Sequence, residues 1–314
     1  MESANDSITA VPGIRVGHVH DEAAVRGCTV ILPEECAQIG VDVRGSAPGT
    51  REIEAIRTVR LVPCAHAVLL TGGSAFGLEA ASGVQRWLEE HGQGFDTGVV
   101  RVPIVPAAVI FDLSVGDPRV RPDRDWGYRA CQASSASESR QGRVGAGIGA
   151  TVGKVLGQER AMWGGLGMAA EVVGGVTVGA LVVVNALGSV VEPSTGRVLA
   201  GPRDESGEPM DASKLLRQGA VFPFPTNTTL AVVATNAALT REQATKVAQM
   251  AQDGIGRVIR PAHTMLDGDI VFALSTGREK LDVTVIGSVA ADLVARAIVR
   301  AVRISNGPGG NEAP

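Results

Sequence analysis

Apolar residues in this chain fall into short, nearly unbroken runs separated by glycine, proline and acidic turns. Runs at residues 29–32, 67–70, 107–111, 179–185, 230–235, 270–275 and 283–286 read as strands. Several lack the alternation of a half-solvated sheet, which predicts sheets buried on both faces. The spacing becomes helical at residues 76–90, 241–252 and 289–302. In the last of these, Val289, Leu293, Val294, Ile298 and Val302 form one core-facing stripe. Thr240 followed by Gln243 is a capping box for the second helix. Gly254 and Gly256 are expected to end it. Helices at both ends with strands between them predict a layered α/β architecture. Residues 201–227, rich in Pro, Asp, Glu, Ser and Gly, read as an exposed loop open to cutting. Residues 307–314 read as a frayed tail.

Composition narrows the partners. A chain of 314 residues fits one large domain or two ordinary ones. Charged residues are 20%, the formal net charge is −4 and aromatics are 3%, so no nucleic-acid surface is expected. Met1 to Gly13 lacks a basic start followed by an apolar core, so no secretory signal is expected. The most apolar stretch, residues 172–191, is interrupted by Gly174, Gly175, Gly179, Asn185 and Gly188. It reads as strands around a turn and not as a membrane helix. Cys28, Cys36, Cys64 and Cys131 show no CxxC spacing, which favours reduced thiols and a cytoplasmic location. His18 and His20 flank Val19 at strand spacing, with no third ligand nearby. A solvated strand face is expected there, and no metal.

Candidate chemistry concentrates at the segment from Pro225 to Asn236. A Pro/Asn turn runs straight into a β-branched strand, with Thr228 and Thr229 at the junction. If the backbone is cut before Thr228, one residue supplies both a hydroxyl and a free α-amine. That is the logic of an N-terminal nucleophile. The plainer reading is a threonine pair opening a strand. Asp267 and Asp269 precede the run at 270–275 and flank Gly268. On extended chain they share a face and could orient an amine or hydroxyl; a turn with solvated acids is the alternative. Lys154 follows a Gly-rich apolar run and is a candidate buried cation, or else a surface lysine. Asn185 closes the run at 179–185 and is a candidate oxyanion donor, or else a turn asparagine. Gly72-Gly73-Ser74-Ala75-Phe76-Gly77 lacks the residues of a phosphate loop, so a tight structural turn is expected.

Taken together these segments resemble the DmpA-type self-processing aminopeptidases (L-aminopeptidase/D-esterase proteins), and within them the NylC-type nylon-oligomer hydrolases. The resemblance runs from Val11-Pro12-Gly13 to the last helix. It is carried by Gly72 to Ala80, Ala108-Val109-Ile110-Phe111-Asp112, Gly145-Ala146-Gly147 through Lys154, Val182-Val183-Val184-Asn185, Asn227-Thr228-Thr229 and Asp267-Gly268-Asp269. It implies an αββα sandwich resembling N-terminal nucleophile hydrolases. It also implies a single catalytic domain over residues 1–314, cut between Asn227 and Thr228 into an α chain 1–227 and a β chain 228–314. Thr228 matches the family nucleophile, Lys154 and Asn185 match residues around it, and Asp267 and Asp269 match the acidic pair that orients it. The acids follow Thr228 by 39 and 41 residues, as in the NylC-like branch. One position departs: those enzymes carry a tyrosine where this chain has Phe111, and its only tyrosine is Tyr128.

The expected activity is hydrolysis of small linear amides, either 6-aminohexanoate oligomers or short peptides with a free amino end. No cofactor, metal, nucleic acid or membrane partner is expected. A homo-oligomer of αβ units, four being favoured, is implied by the relatives. Two other readings are a self-cleaving acyltransferase of the ornithine acetyltransferase type and a non-catalytic small-molecule binder.

Overall fold

The structure, a computed structural model, describes residues 5–220 and 227–307. Two five-stranded sheets lie face to face between two helical layers. The first sheet runs in the order Ile14–Asp21, Arg26–Pro33, Val68–Thr71, Ala107–Val109, Thr50–Arg51. The second runs Gly165–Val173, Val176–Asn185, Thr228–Ala237, Ile270–Glu279, Gln38–Val43. The unbroken apolar runs have their cause here. Leu230, Val232 and Ala234 face the other sheet, while Ala231 and Val233 face the helices. Both faces of the strand are therefore dry, and no polar alternation is needed.

Helices Arg241–Val258 and Val283–Asn306 cover the outer face of the second sheet. Helices Ala80–Glu90 and Arg124–Gln132 cover the first. The helices lie close because small residues meet them. A Cβ on Gly167, in strand Gly165–Val173, would sit 2.0 Å from the Ala297 carbonyl oxygen of the last helix. A Cβ on Gly40, in strand Gln38–Val43, would sit 2.1 Å from the Thr245 backbone nitrogen.

The layered α/β sandwich agrees with expectation, as does the capping box at Thr240 and Gln243. Four local expectations need correcting, and a fifth holds only in part. The run at 283–286 is the first turn of helix Val283–Asn306, capped by the Asp282 side chain on the Thr284 N–H. A short β-branched run does not by its period distinguish strand from helix. Gly254 and Gly256 do not end their helix, which continues to Val258. Gly254 instead gives the neighbouring helix room, since a Cβ there would sit 2.2 Å from the Ala291 carbonyl. The segment 201–220 is not a featureless loop: it contains helix Ala212–Arg217, capped by Asp211. The rest of the expected loop, 221–226, lies outside the described residues, and so do residues 308–314 of the expected tail. Asn227 is buried.

The last correction concerns thiols. Cys36 and Cys64 are bonded to each other, with Cα atoms 5.5 Å apart. A β-bridge between Ala37 and Ala65 brings the two segments together, and spacing along the chain carries no trace of it. Cys28 and Cys131 are free and buried. His18 is also buried, its Nδ1 2.9 Å from the Thr29 hydroxyl, so the expected solvated face holds only in part. Among the described residues no helix is long and apolar enough to cross a membrane.

Replacing Gly167 with alanine forces backbone apart on both sides of its contact. Gly167→Ala is expected to lower stability by about 1–3 kcal/mol, read as a lower denaturant midpoint at unchanged slope.

Candidate active site

The second sheet contains a parallel pair. Thr228–Ala237 and Ile270–Glu279 run side by side in register, Leu230 opposite Ile270, with helix Arg241–Val258 between them in sequence. Both strands therefore begin at the same edge of the sheet. Three residues earlier in the same register Asn227 bridges Asp267. On the other side Asn185, the last residue of its strand, pairs with Thr228. Register alone thus gathers Asn185, Asn227, Thr228 and the acids, and all of them are buried.

The Thr228 hydroxyl lies in short contact with the Asn227 carbonyl oxygen. The same oxygen accepts the Gly268 N–H at 2.9 Å. Gly268 is needed as glycine, since a Cβ there would sit 2.6 Å from the Ala47 carbonyl oxygen and 2.8 Å from the Thr228 hydroxyl. Asp269 accepts the Thr229 N–H at 2.7 Å on one oxygen. Its other oxygen accepts the His263 N–H at 3.0 Å and faces His263 Nδ1 at 2.8 Å. Asp267 accepts the Leu187 N–H at 3.3 Å, and the Thr264 N–H and hydroxyl at 3.1 and 2.5 Å. The acids are thus buried and bonded, not solvated at a turn. His263 and Thr264 stood in the segment read for its acids and were given no part. A histidine and a threonine just before two acids were the available signal.

Lys154 follows Gly153, whose φ of 75° turns the chain inward. Its Nζ donates to the Thr151 carbonyl at 2.8 Å, the Asn185 carbonyl at 3.0 Å and the Asn185 side-chain oxygen at 2.8 Å. Burial pulls the ammonium down to about 7, while the charges of Asp267 and Asp112 act the other way. Three oxygen acceptors for three N–H donors are satisfied in full only by the ammonium form. The Asn185 amide nitrogen donates to the Phe111 carbonyl at 3.1 Å. Here Asn185 anchors Lys154 and the Phe111 backbone, a different engagement from the oxyanion donor expected of it.

Behind Phe111 lies a charge pair absent from the expected set. Arg26 and Asp112 are fully buried, with Nη1 and Oδ2 3.7 Å apart. Asp112 also accepts the Gly73 N–H at 2.8 Å. Burial raises its pKa, and Arg26 opposes that rise. Nothing in the local sequence marks Arg26, which reaches Asp112 only through the first sheet. The Gly72–Gly77 segment is the tight turn expected of it. Tyr128 donates its hydroxyl to Glu90 at 2.6 Å on the outer helices, so it does not occupy the place of the missing tyrosine. Phe111 itself lines a cavity of about 260 Å³ beside Thr228.

Cys36, Cys64 and His66 group their ligand atoms within 4.8 Å, but share no residue with this cluster. The two sulfurs are bonded together, and His66 Nδ1 already accepts the Ile104 N–H at 3.1 Å.

The Asp267 carboxyl is pushed up to about 6, first by burial and then by the neighbouring Asp269 charge. Between about pH 4 and 6 the folded chain thus holds a proton that the unfolded chain has lost. That contribution stabilises at low pH and disappears as pH rises through about 6. The stability of the wild type minus that of Asp267→Asn is therefore expected to fall from pH 4 to 6 and level off above 7. Urea denaturation of both proteins, each carrying Thr228→Ala, across this range measures it.

The chain matches the description Peptidase family S58 over residues 6–312. An uncharacterized aminopeptidase of Mycobacterium tuberculosis is 45% identical, covering 95% of this chain and 93% of the relative. A 6-aminohexanoate-oligomer endohydrolase of a Kocuria species is 30% identical over 93% of this chain and 84% of its own length. The L-aminopeptidase D-Ala-esterase/amidase of Ochrobactrum anthropi, described as a variant of the Ntn hydrolase fold, superposes with a TM-score of 0.73 at 21% identity, over 96% of this chain and 86% of that one. With its sandwich, its buried cluster at one sheet edge and these relatives, the chain belongs to peptidase family S58, as a hydrolase of amide bonds built on the N-terminal nucleophile hydrolase fold.

Proposed function

We propose that the chain cuts itself between Asn227 and Thr228, and that the freed Thr228 is the nucleophile of an amide hydrolase. One observation carries this reading: the Thr228 hydroxyl lies against the Asn227 carbonyl, whose oxygen is already held by the Gly268 N–H. A backbone donor on that oxygen is where charge develops when the carbonyl is attacked. Removing a donor of this kind typically costs about 10²–10³ in rate.

In maturation the Thr228 oxygen bonds to the Asn227 carbonyl carbon and the carbon–nitrogen bond breaks. The hydroxyl proton ends on the departing nitrogen. Water then hydrolyses the ester, leaving a carboxylate on Asn227 and a free amine and hydroxyl on Thr228. In turnover the same oxygen attacks a substrate amide. The new α-amine, with a reference pKa of about 7.7–8.0, takes the proton and passes it to the leaving amine. Water releases the acyl group. Lys154, Asn185, Asp267 and Asp269 hold this end of the strand in place. The substrates proposed are small linear amides: 6-aminohexanoate oligomers, which the Kocuria relative's name specifies, or short peptides. The αβ units are proposed to assemble, most naturally as four.

Purified wild type is expected to give two fragments by intact mass, the second beginning at Thr228. Thr228→Ala is expected to stay as one chain and to hydrolyse no amide. If that variant still splits at the same bond, the scheme is wrong. Assays with nylon-6 oligomers beside aminoacyl anilides establish which substrate class dominates.

A further inference from the structure

His263 stands at the edge of the buried cluster in a costly conformation. Its φ of 56° lies in the left-handed region that residues with a Cβ seldom enter, histidine more often than most. Such conformations persist only where the surroundings impose them, and they concentrate at functional sites. Here the partner is Asp269. One oxygen of its carboxylate accepts the His263 N–H at 3.0 Å and faces His263 Nδ1 at 2.8 Å. A carboxylate only accepts, so Nδ1 is the nitrogen that carries the proton. Backbone and ring of one residue thus converge on a single oxygen.

The Asp269 backbone is fixed independently, its carbonyl accepting the Arg44 and Gly45 N–H groups at 3.0 and 3.3 Å. Those contacts leave the carboxylate free to rotate. His263 removes that freedom, and the other oxygen then accepts the Thr229 N–H at 2.7 Å. The parallel ladder opens with Leu230 opposite Ile270. The Thr229 N–H lies one residue ahead of it and takes a side chain as its acceptor. Thr228 comes next. The Asp269 side chain is 2% exposed and the His263 ring 22%, so solvent reaches the ring and not the acid. The ring does not line the cavity beside Thr228, whose wall includes Pro48, the turn at Ser74 and Ala75, Phe111 and Leu266. Any effect of His263 on the chemistry therefore passes through Asp269.

We propose that His263 is a positioning residue: its imidazole holds Asp269 so that the carboxylate keeps the head of the Thr228 strand aligned for attack. This deepens the Thr228 reading and rests on it. A hydroxyl attacks a carbonyl along one line, and a small misplacement of the attacking group costs rate steeply. Freedom at Thr229 is freedom at the residue bonded to it. Substrate binds against the cavity wall, which the ring does not touch, so the effect of His263 is on kcat and not on KM. Self-cutting and turnover use the same Thr228 oxygen, so losing the imidazole slows both.

The test compares full-length wild type with His263→Gly, His263→Asn and His263→Asp. Intact mass follows self-cutting, and turnover is counted per cut chain on whichever probe, nylon-6 oligomer or aminoacyl anilide, wild type cleaves faster. Glycine takes a positive φ freely, and Asn and Asp tolerate it, so all three keep the backbone N–H on Asp269. Only Asn puts an N–H where Nδ1 stood. His263→Gly is expected to lose about ten- to a hundredfold in kcat, the scale of one hydrogen bond to a charged group, with KM little changed and self-cutting slowed. Added imidazole is expected to restore part of that loss, and His263→Asn to keep more kcat than His263→Asp. A wild-type kcat in His263→Gly overturns the proposal. So does a rise in KM alone, or a loss that neither imidazole nor Asn restores. Should His263→Gly fail to fold, equal kcat in the Asn and Asp variants overturns it. A wild type that hydrolyses amides as an uncut chain overturns the Thr228 reading instead.

Discussion

The parallel pairing of Thr228–Ala237 with Ile270–Glu279 is the constraint from which the site follows. Two parallel neighbours begin at the same sheet edge, so residues just ahead of each are brought together whatever their distance in sequence. Register does the rest, setting Asn227 beside Asp267 and the Gly268 N–H on the Asn227 carbonyl. A slip of one residue would turn the side chains of the whole strand to opposite faces. The apolar faces forbid it: Leu230, Val232 and Ala234 would leave the space between the sheets for the helical side. The packing that stabilises the sandwich is therefore also what holds Asn185, Asn227, Thr228, Asp267 and Gly268 together at this edge.

The charges at this edge sit where charge is expensive. Lys154, Asp112, Arg26, Asp267 and Asp269 are all buried. They are supported by backbone groups: carbonyls for Lys154, and N–H groups of Leu187, Thr229, His263 and Gly73 for the acids. Such support fixes each side chain with little freedom to rearrange, as the proposed attack on the Asn227 carbonyl requires. The Arg26–Asp112 pair lies further in, and its loose 3.7 Å separation leaves polar atoms unpartnered. Its structural work is on the Gly73 N–H and so on the turn that forms the cavity wall.

The sequence made the sandwich legible because its strands are buried on both faces and its helices carry clear stripes. The positions Thr228, Lys154, Asn185, Asp267 and Asp269 stood out by residue type at strand ends and by family likeness, and the structure brings them to one sheet edge. What could not be read depends on tertiary contact. Arg26 meets Asp112 across the first sheet, and Cys36 meets Cys64 through a bridge that no spacing announces. Gly254 looked like a helix end because its true role, clearing room for Ala291, belongs to another helix. Asn185 was assigned from its chemistry as a donor, while its actual bonds depend on Phe111 and Lys154 arriving from elsewhere.

Thr228–Ala237 has a neighbouring strand on each side. Chain ends ordinarily fray, yet a terminus created at the head of this strand would stay clamped by ladders left and right. Those flanking strands, Val176–Asn185 and Ile270–Glu279, lie on opposite sides of the Asn227–Thr228 bond in sequence. A cut at that bond, as proposed, would divide neighbours of one sheet between two pieces. On that scheme the strands pair before scission, and the nick is a late event timed by the finished architecture.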